Sequence, residues 1–258
     1  MEPNPRVPHF LRAVTWVECG VVASAALLLL TMPKRGGQDI WAWITPPLNA
    51  RYVGVIYLAA LVALLVFAVH GRWNPGRLVL WEIFVFTTAI MVVMLAYAGR
   101  FEWARVATWV FWPLYLFLPV NSAVFLGRLR DWQPPEPLIH ARAALTVLAL
   151  LLGGYGLALL AIPERATDFW PWPVDAFHAR IYAATYLTPA AGAWVLRSGA
   201  TPEELRTLGI TLVTFGVAAL IAVPTNATFF VINVAPILAG VALLVSEARA
   251  SAPASTTA

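Results

Sequence analysis

Asp39-Ile40-Trp41-Ala42-Trp43 opens a segment that continues through Ala50-Arg51 to Tyr57-Leu58, and the pattern returns 129 residues later as Asp168-Phe169-Trp170-Pro171-Trp172, Ala179-Arg180 and Tyr186-Leu187. Without a gap, 7 of the 20 positions from 39 to 58 are identical to those from 168 to 187, and two of the identities are tryptophan. The chain has 258 residues, so the shift is half its length. An internal repeat of this kind constrains the architecture before any single residue is interpreted.

The composition identifies the solvent of this chain as lipid. Hydrophobic residues make up 60% of the sequence and charged residues 12%, with a mean hydropathy of +0.75, whereas soluble domains carry about 25% charged residues. A chain this apolar cannot cover its own surface with polar groups. We therefore expect an integral protein of a bacterial-type inner (plasma) membrane. Membrane lipids are its expected neighbours, and a membrane protein partner or a second copy of the chain is a further candidate.

The sequence argues against several classes of function. The net charge of +4 comes from basic residues spread over short loops, so we expect no nucleic-acid partner. Cys19 is the only cysteine, which excludes a disulfide within the chain and any CxxC metal pattern. The four histidines lie near span ends, which argues against haem between helices. Asp175 and His178 share a helix face and suit weak metal binding or, preferably, helix capping. We expect no metal and no cofactor.

Eight apolar stretches are long enough to cross roughly 30 Å of hydrocarbon as helices. They lie near residues 10–32, 48–69, 78–98, 105–127, 143–162, 176–196, 207–224 and 227–246. The predicted fold class is therefore an all-α polytopic membrane protein with eight transmembrane helices.

The repeat predicts how these spans are arranged. Arg12 lies near the start of the first span and Pro33 directly after its end. They correspond to Arg142 and Pro163 at a shift of 130, so the duplication extends beyond the tryptophans. Four spans per repeat is an even number, so both halves enter the membrane in the same direction. We expect two parallel four-helix repeats, 1–128 and 141–247. A Pro-rich linker, 129–140, joins them, and a disordered tail, 248–258, follows.

The distribution of charge suggests an orientation. Of the 17 basic residues, ten fall on the side that holds both termini and seven on the other side. This excess favours cytoplasmic termini by the positive-inside rule. The two tryptophan segments are then expected on the outer face.

Each tryptophan segment predicts an elbow at the membrane surface. Proline residues at 46 and 47, and again at 171 and 173, prevent a continuous helix, so the indoles are expected at headgroup depth before a new helix begins. Arg51 and Arg180 then lie one turn inside those helices, where a cation opposes the helix dipole and needs a partner. That partner is either Asp39 or Asp168 within the chain, or an external anion such as a lipid phosphate or a carboxylate. Candidate binding residues are Trp41, Trp43, Trp170, Trp172, Arg51, Arg180, Asp39 and Asp168.

Glu18 and Glu82 are the second candidate group. Both lie several residues inside a predicted span, where acids are costly and mark functional positions. They either pair with a nearby arginine such as Arg12 or Arg77, or carry a proton. The second half has no acid at the matching places, so the repeat does not preserve them.

Three functions are compatible with these features. The first is binding or transport of a small anionic or amphiphilic molecule at the paired elbows. The second is a non-catalytic structural or assembly subunit of a membrane complex. The third is a lipid-modifying membrane enzyme, which ranks last because the sequence contains no Ser–His–Asp, HExxH, Walker or paired-carboxylate pattern.

Overall fold

Eight long helices form the protein in a computed structural model that describes residues 4–129, 132, 141–224 and 226–251. They are α1 (His9–Thr31), α2 (Pro47–His70), α3 (Trp73–Ala96), α4 (Val106–Arg128), α5 (Arg142–Ala161), α6 (Ala176–Leu196), α7 (Pro202–Ala222) and α8 (Ala227–Ser251). The described residues contain no strand, which confirms the all-α class. Most of the predicted linker 129–140 and the tail beyond Ser251 lie outside the described residues.

Seven of these helices are long and apolar enough to cross a membrane, counted over the described residues. The exception is α6, which is 21 residues long and carries His178 and Arg180 in its first two turns. Its neighbours α5 and α3 pack along it, so protein covers much of a helix that is less apolar than the others.

Two helices begin five residues earlier than predicted. The apolar pattern placed the starts at 78 and 207, whereas α3 begins at Trp73 and α7 at Pro202. At α7 the Thr201 hydroxyl accepts a hydrogen bond from the Glu204 backbone N–H at 3.2 Å, and the Glu204 carboxylate accepts one from the Thr201 N–H at 3.0 Å. This reciprocal capping box, with Pro202 at the first helical position, stabilises the first turn of α7. The apolar pattern did not include this turn because its residues are polar.

The helices pack in matching pairs. In the first half α1 packs on α2 and α3 on α4, and in the second half α5 packs on α6 and α7 on α8. Across the halves α3 packs on α6 and α2 on α7. The largest hydrophobic cluster contains residues from both halves, so the two halves share one core.

The loops gather at two ends of the bundle. At one end the N-terminal segment pairs with the α2–α3 turn, where Val7 N–H donates to Gly71 O at 3.0 Å. At the other end Glu102 N–H donates to Ala42 O at 2.9 Å, and the Asn226 amide donates to Phe169 O at 2.7 Å. Both tryptophan segments therefore lie at the same end.

Candidate functional site

The four indoles of the tryptophan segments are buried inside the protein. Trp43 is 2% exposed, and Trp41, Trp170 and Trp172 are between 5% and 7% exposed. Within each pair the rings meet edge to face, with centroids 5.3 Å apart for Trp41 and Trp43 and 5.1 Å apart for Trp170 and Trp172. Neighbouring aromatic side chains cover the indoles, so they face the protein interior, and their depth in the membrane stays a prediction.

The second tryptophan of each segment hydrogen-bonds to the opposite half. Trp43 Nε1 donates to His178 Nε2 at 3.3 Å, and Trp172 Nε1 donates to Asn49 Oδ1 at 2.8 Å. Asn49 and His178 are equivalent positions at the shift of 129. Each elbow is therefore anchored in the first turn of the other half's helix.

Asp175 caps α6, as the sequence suggested. Its carboxylate accepts the backbone N–H of His178 at 2.8 Å. Because His178 Nε2 accepts from Trp43, its Nδ1 carries the proton and donates to Asp175 at 2.8 Å. Partial burial raises the pKa of Asp175, but the hydrogen bonds from His178 and the charge of Arg100 outweigh it and lower the pKa to about 2.

The two repeated arginines have different environments. Arg180 donates from Nε to Leu160 O at 3.1 Å and from Nη1 to the Tyr97 hydroxyl, and its guanidinium lies over the Tyr97 ring. Arg51 is exposed and has no hydrogen-bond or ion-pair partner in the described part of the chain. Asp39 and Asp168 are both exposed, and neither pairs with an arginine of the described ranges, so the internal Asp–Arg pairing is not formed.

A prediction follows for the anchor at Asn49. Its Oδ1 accepts both Trp172 Nε1 and the Tyr182 hydroxyl, the latter at 2.7 Å. Asn49→Leu removes the side-chain acceptor of two buried donors and leaves the Tyr182 hydroxyl only the residue 49 backbone carbonyl, 3.5 Å away. The expected cost is about 2–6 kcal/mol of unfolding free energy, at about 1–3 kcal/mol per group. Thermal unfolding in detergent measures this loss.

A double-mutant cycle with Trp172→Phe is the control for this anchor. If the hydrogen bond is the cause, Asn49→Leu costs less in the Trp172→Phe background than in the unaltered protein. Strictly additive losses would show that Asn49 acts only through its volume.

The eight helices line a central cavity of about 130 Å³, and each helix contributes at least one lining residue. Glu18 of α1, Glu82 of α3, Thr185 of α6 and Thr211 of α7 all face it. The structure thus brings both predicted intramembrane acids to one site. Pro189 also lines the cavity, and its ring nitrogen has no N–H to donate to the carbonyl of Thr185.

Three polar atoms around this cavity are buried without a hydrogen-bond partner among the described residues. They are Glu18 Oε2, Glu82 Oε1 and Thr185 Oγ1. The predicted arginine partners are engaged elsewhere, since Arg12 donates to Ala68 O at 3.0 Å and Arg77 to Glu204 at 2.9 Å. The pairing interpretation of Glu18 and Glu82 with these two arginines is therefore wrong.

Tyrosines complete the wall of the cavity. The hydroxyls of Tyr57 and Tyr115 are hydrogen-bonded to each other at 2.9 Å, and those of Tyr186 and Tyr52 at 2.8 Å. Sequence reasoning did not propose these residues as site candidates. The signal was present, because Tyr57 and Tyr186 are among the seven positions that are identical in both copies.

No known protein family, curated protein or solved structure matches this chain. Its function is therefore inferred from the chemistry of the site. Burying a carboxylate costs desolvation free energy, which is avoided when the group is protonated and offset when it pairs with a cation or accepts hydrogen bonds. The central cavity therefore suits a small ligand that brings an N–H or O–H group on an apolar body.

Proposed function

We propose that this multi-pass membrane protein binds, and carries across the membrane, a small amphiphilic amine in the central cavity. The observation that supports this most strongly is that Glu18 and Glu82, each 5% exposed, both line one cavity, and that each has a buried carboxylate oxygen without a hydrogen-bond partner among the described residues. An apolar cavity of about 150 Å³ holds one benzene molecule. The volume of about 130 Å³ is close to this size and suits one ring or a short alkyl chain.

Two further parts of this proposal concern architecture. The chain is proposed to span the membrane eight times, with α6 shielded by its neighbours, and to consist of two parallel repeats. The matching packing pairs of the two halves support the repeats. Both termini are proposed to face the cytoplasm, as the charge distribution suggests.

The proposed ligand is a cation because the two acidic side chains that line the cavity, Glu18 and Glu82, can carry only a negative charge. The elbows were the expected anion site, but their indoles are buried and Arg180 is hydrogen-bonded within the protein, which leaves Arg51 as the one repeated arginine without a partner among the described residues. We therefore propose that the elbows hold the two halves together, and that ligand binding belongs to the cavity.

A simple exchange mechanism follows from the two acids. Each carboxylate in the low-dielectric interior is neutralised either by a proton or by the ammonium group of the ligand. Binding the amine then displaces a proton, and release of the amine on the far side allows the carboxylate to be protonated again. The result is exchange of an amine cation for a proton across the membrane.

Benzylamine is the probe for this proposal. In nanodiscs, Glu18→Gln and Glu82→Gln are each expected to weaken its binding about ten- to hundredfold, since a hydrogen bond to a charged group contributes about 1.5–3 kcal/mol. Calorimetry measures the affinity, and a weakly buffered solution with a pH indicator measures the proton that is released.

The matched control is Glu164→Gln, which removes an exposed carboxylate outside the cavity and is expected to bind as the unaltered protein does. Benzoate tests the sign of the charge on the same ring. Tight benzoate binding with the same affinity in Glu18→Gln, Glu82→Gln and the unaltered protein would support the anionic alternative. Equal affinities in all variants would favour the structural-subunit alternative.

A further inference from the structure

A second cavity, of about 210 Å³, lies between α1 and α4. We refer to it as the outer cavity. Although α1 packs on α2 and α4 on α3, α1 and α4 do not pack closely on each other. Ser24 of α1 and Val110 of α4 line the outer cavity and are exposed on the outside of the bundle. The outer cavity therefore opens toward the lipid.

The outer cavity coincides with a departure from the repeat. In the second half, Tyr155 lies between Trp170 and Tyr186; it accepts the Trp170 N–H at 2.8 Å, and its ring centroid is 4.7 Å from that of Tyr186. At the shift of 130 the residue that corresponds to Tyr155 is Ala25, which lines the outer cavity. A tyrosine that fills this space in one half is replaced by a methyl group in the other.

The loss of that tyrosine leaves Trp41 without its acceptor. Trp41 corresponds to Trp170, lines the outer cavity and is 7% exposed. Its Nε1 is buried and makes no hydrogen bond to any described residue. The outer cavity therefore has an unpartnered donor at Trp41 and an unpartnered carboxylate oxygen at Glu18.

The outer and central cavities share a wall. Glu18, Val22, Tyr57, Tyr115 and Leu118 line both of them. The hydrogen bond between the hydroxyls of Tyr57 and Tyr115 bridges α2 and α4 across this wall. This tyrosine pair, held by one hydrogen bond, therefore lies between the two spaces beside Glu18.

We propose that the outer cavity is the entrance of the protein, a first binding position where an amphiphilic amine arrives from the bilayer and meets Glu18 before it passes the tyrosine pair. This inference rests on the proposed function and adds the source of the ligand. It also assigns a role to Ala25, the small residue that keeps the entrance open.

Ala25→Tyr tests the entrance by restoring the residue found in the second half. Its hydroxyl is expected to accept from Trp41 as Tyr155 accepts from Trp170, and its ring to fill the outer cavity. Benzylamine should then bind about tenfold more slowly, since access requires an additional conformational change, with a nearly unchanged dissociation constant. Stopped-flow tryptophan fluorescence in dioleoylphosphatidylcholine nanodiscs measures the rate.

Leu27→Tyr is the matched control, because it places the same ring on the exposed face of α1. It should bind benzylamine at the rate of the unaltered protein. An Ala25→Tyr variant that also binds at this rate would overturn the entrance. In that case affinity that still depends on Glu18 and Glu82 would leave the proposed function standing, whereas absence of benzylamine binding in the unaltered protein would remove both.

A second measurement needs no variant. Butylamine, hexylamine and octylamine, compared at equal aqueous concentration, partition increasingly into the bilayer. Entry from the lipid makes the association rate rise along this series, and the unaltered protein should show that rise. A rate that follows only the aqueous concentration would contradict entry from the lipid, whether or not Ala25→Tyr folds.

Discussion

Arg77→Ala is expected to lower the free energy of unfolding by about 3–5 kcal/mol, the usual loss when one partner of a buried ion pair is removed. Glu204 is fully buried, and its two carboxylate oxygens accept from Arg77 Nε and Nη2, each at 2.9 Å. Arg77 Nη2 also donates to Gly199 O at 2.8 Å. Without the guanidinium, the buried carboxylate keeps only the Thr201 N–H as a donor, and the Gly199 carbonyl loses its donor from Arg77.

The repeat provides the control for this prediction. Arg206 is the equivalent of Arg77 at the shift of 129, yet it is exposed on α7. Arg206→Ala should change stability by no more than about 0.5 kcal/mol, as surface substitutions usually do. Thermal unfolding followed by circular dichroism compares the two variants, and equal melting temperatures would show that the buried pair contributes little.

The pair matters because it connects the two halves of the molecule. Arg77 lies on α3 and Glu204 on α7, and beside them Asn74 donates to Glu203 at 3.0 Å and accepts from Thr201 at 2.7 Å. This polar cluster lies at the end of the bundle opposite the tryptophan elbows. The halves are thus held together at both ends, with the central cavity between the two sets of contacts.

Helix positions were predictable where apolar length alone defines a helix. The predicted starts and ends of α1, α2, α4, α5 and α6 agree with the structure to within one residue. The starts of α3 and α7 were not found, because Arg77, Glu203 and Glu204 appear too polar for a span. The burial of Glu204 depends on its tertiary partner Arg77, although the Thr201–Glu204 capping box was visible in the sequence.

The partners of the candidate site residues were not predictable in the same way. Local spacing suggested Asp39 as the partner of Arg51 and Asp168 as the partner of Arg180. The observed partners are distant in sequence: Trp43 and Trp172 donate hydrogen bonds to residues 135 and 123 positions away. Arg180 bonds to Tyr97 across the halves, which no periodicity indicates. Glu18 and Glu82 were recognisable as candidates from the sequence alone, because burying a carboxyl group in lipid costs free energy. Only the fold shows that both line one cavity.

Gly240→Val is expected to separate α7 from α8 and to lower the free energy of unfolding by about 3 kcal/mol, the upper part of the usual range for overpacking. A Cβ on Gly240 would lie 2.5 Å from the Gly209 carbonyl oxygen, and a Cβ on Gly209 would lie 2.9 Å from the Gly240 carbonyl oxygen. Both contacts are with backbone, which cannot move aside as a flexible side chain does. Small residues allow two membrane helices this close approach.

Gly154→Val is the matched control, because a Cβ on this glycine of α5 meets no atom within 4 Å. Both changes place the same residue inside a helix, so the difference between their unfolding free energies isolates the contact between α7 and α8. Equal losses would show that this contact tolerates a side chain. Thr211 and Pro236 line the central cavity from these two helices. Separation of the helices should therefore also weaken benzylamine binding in Gly240→Val, while Gly154→Val keeps it, because only the first variant moves the wall of the cavity.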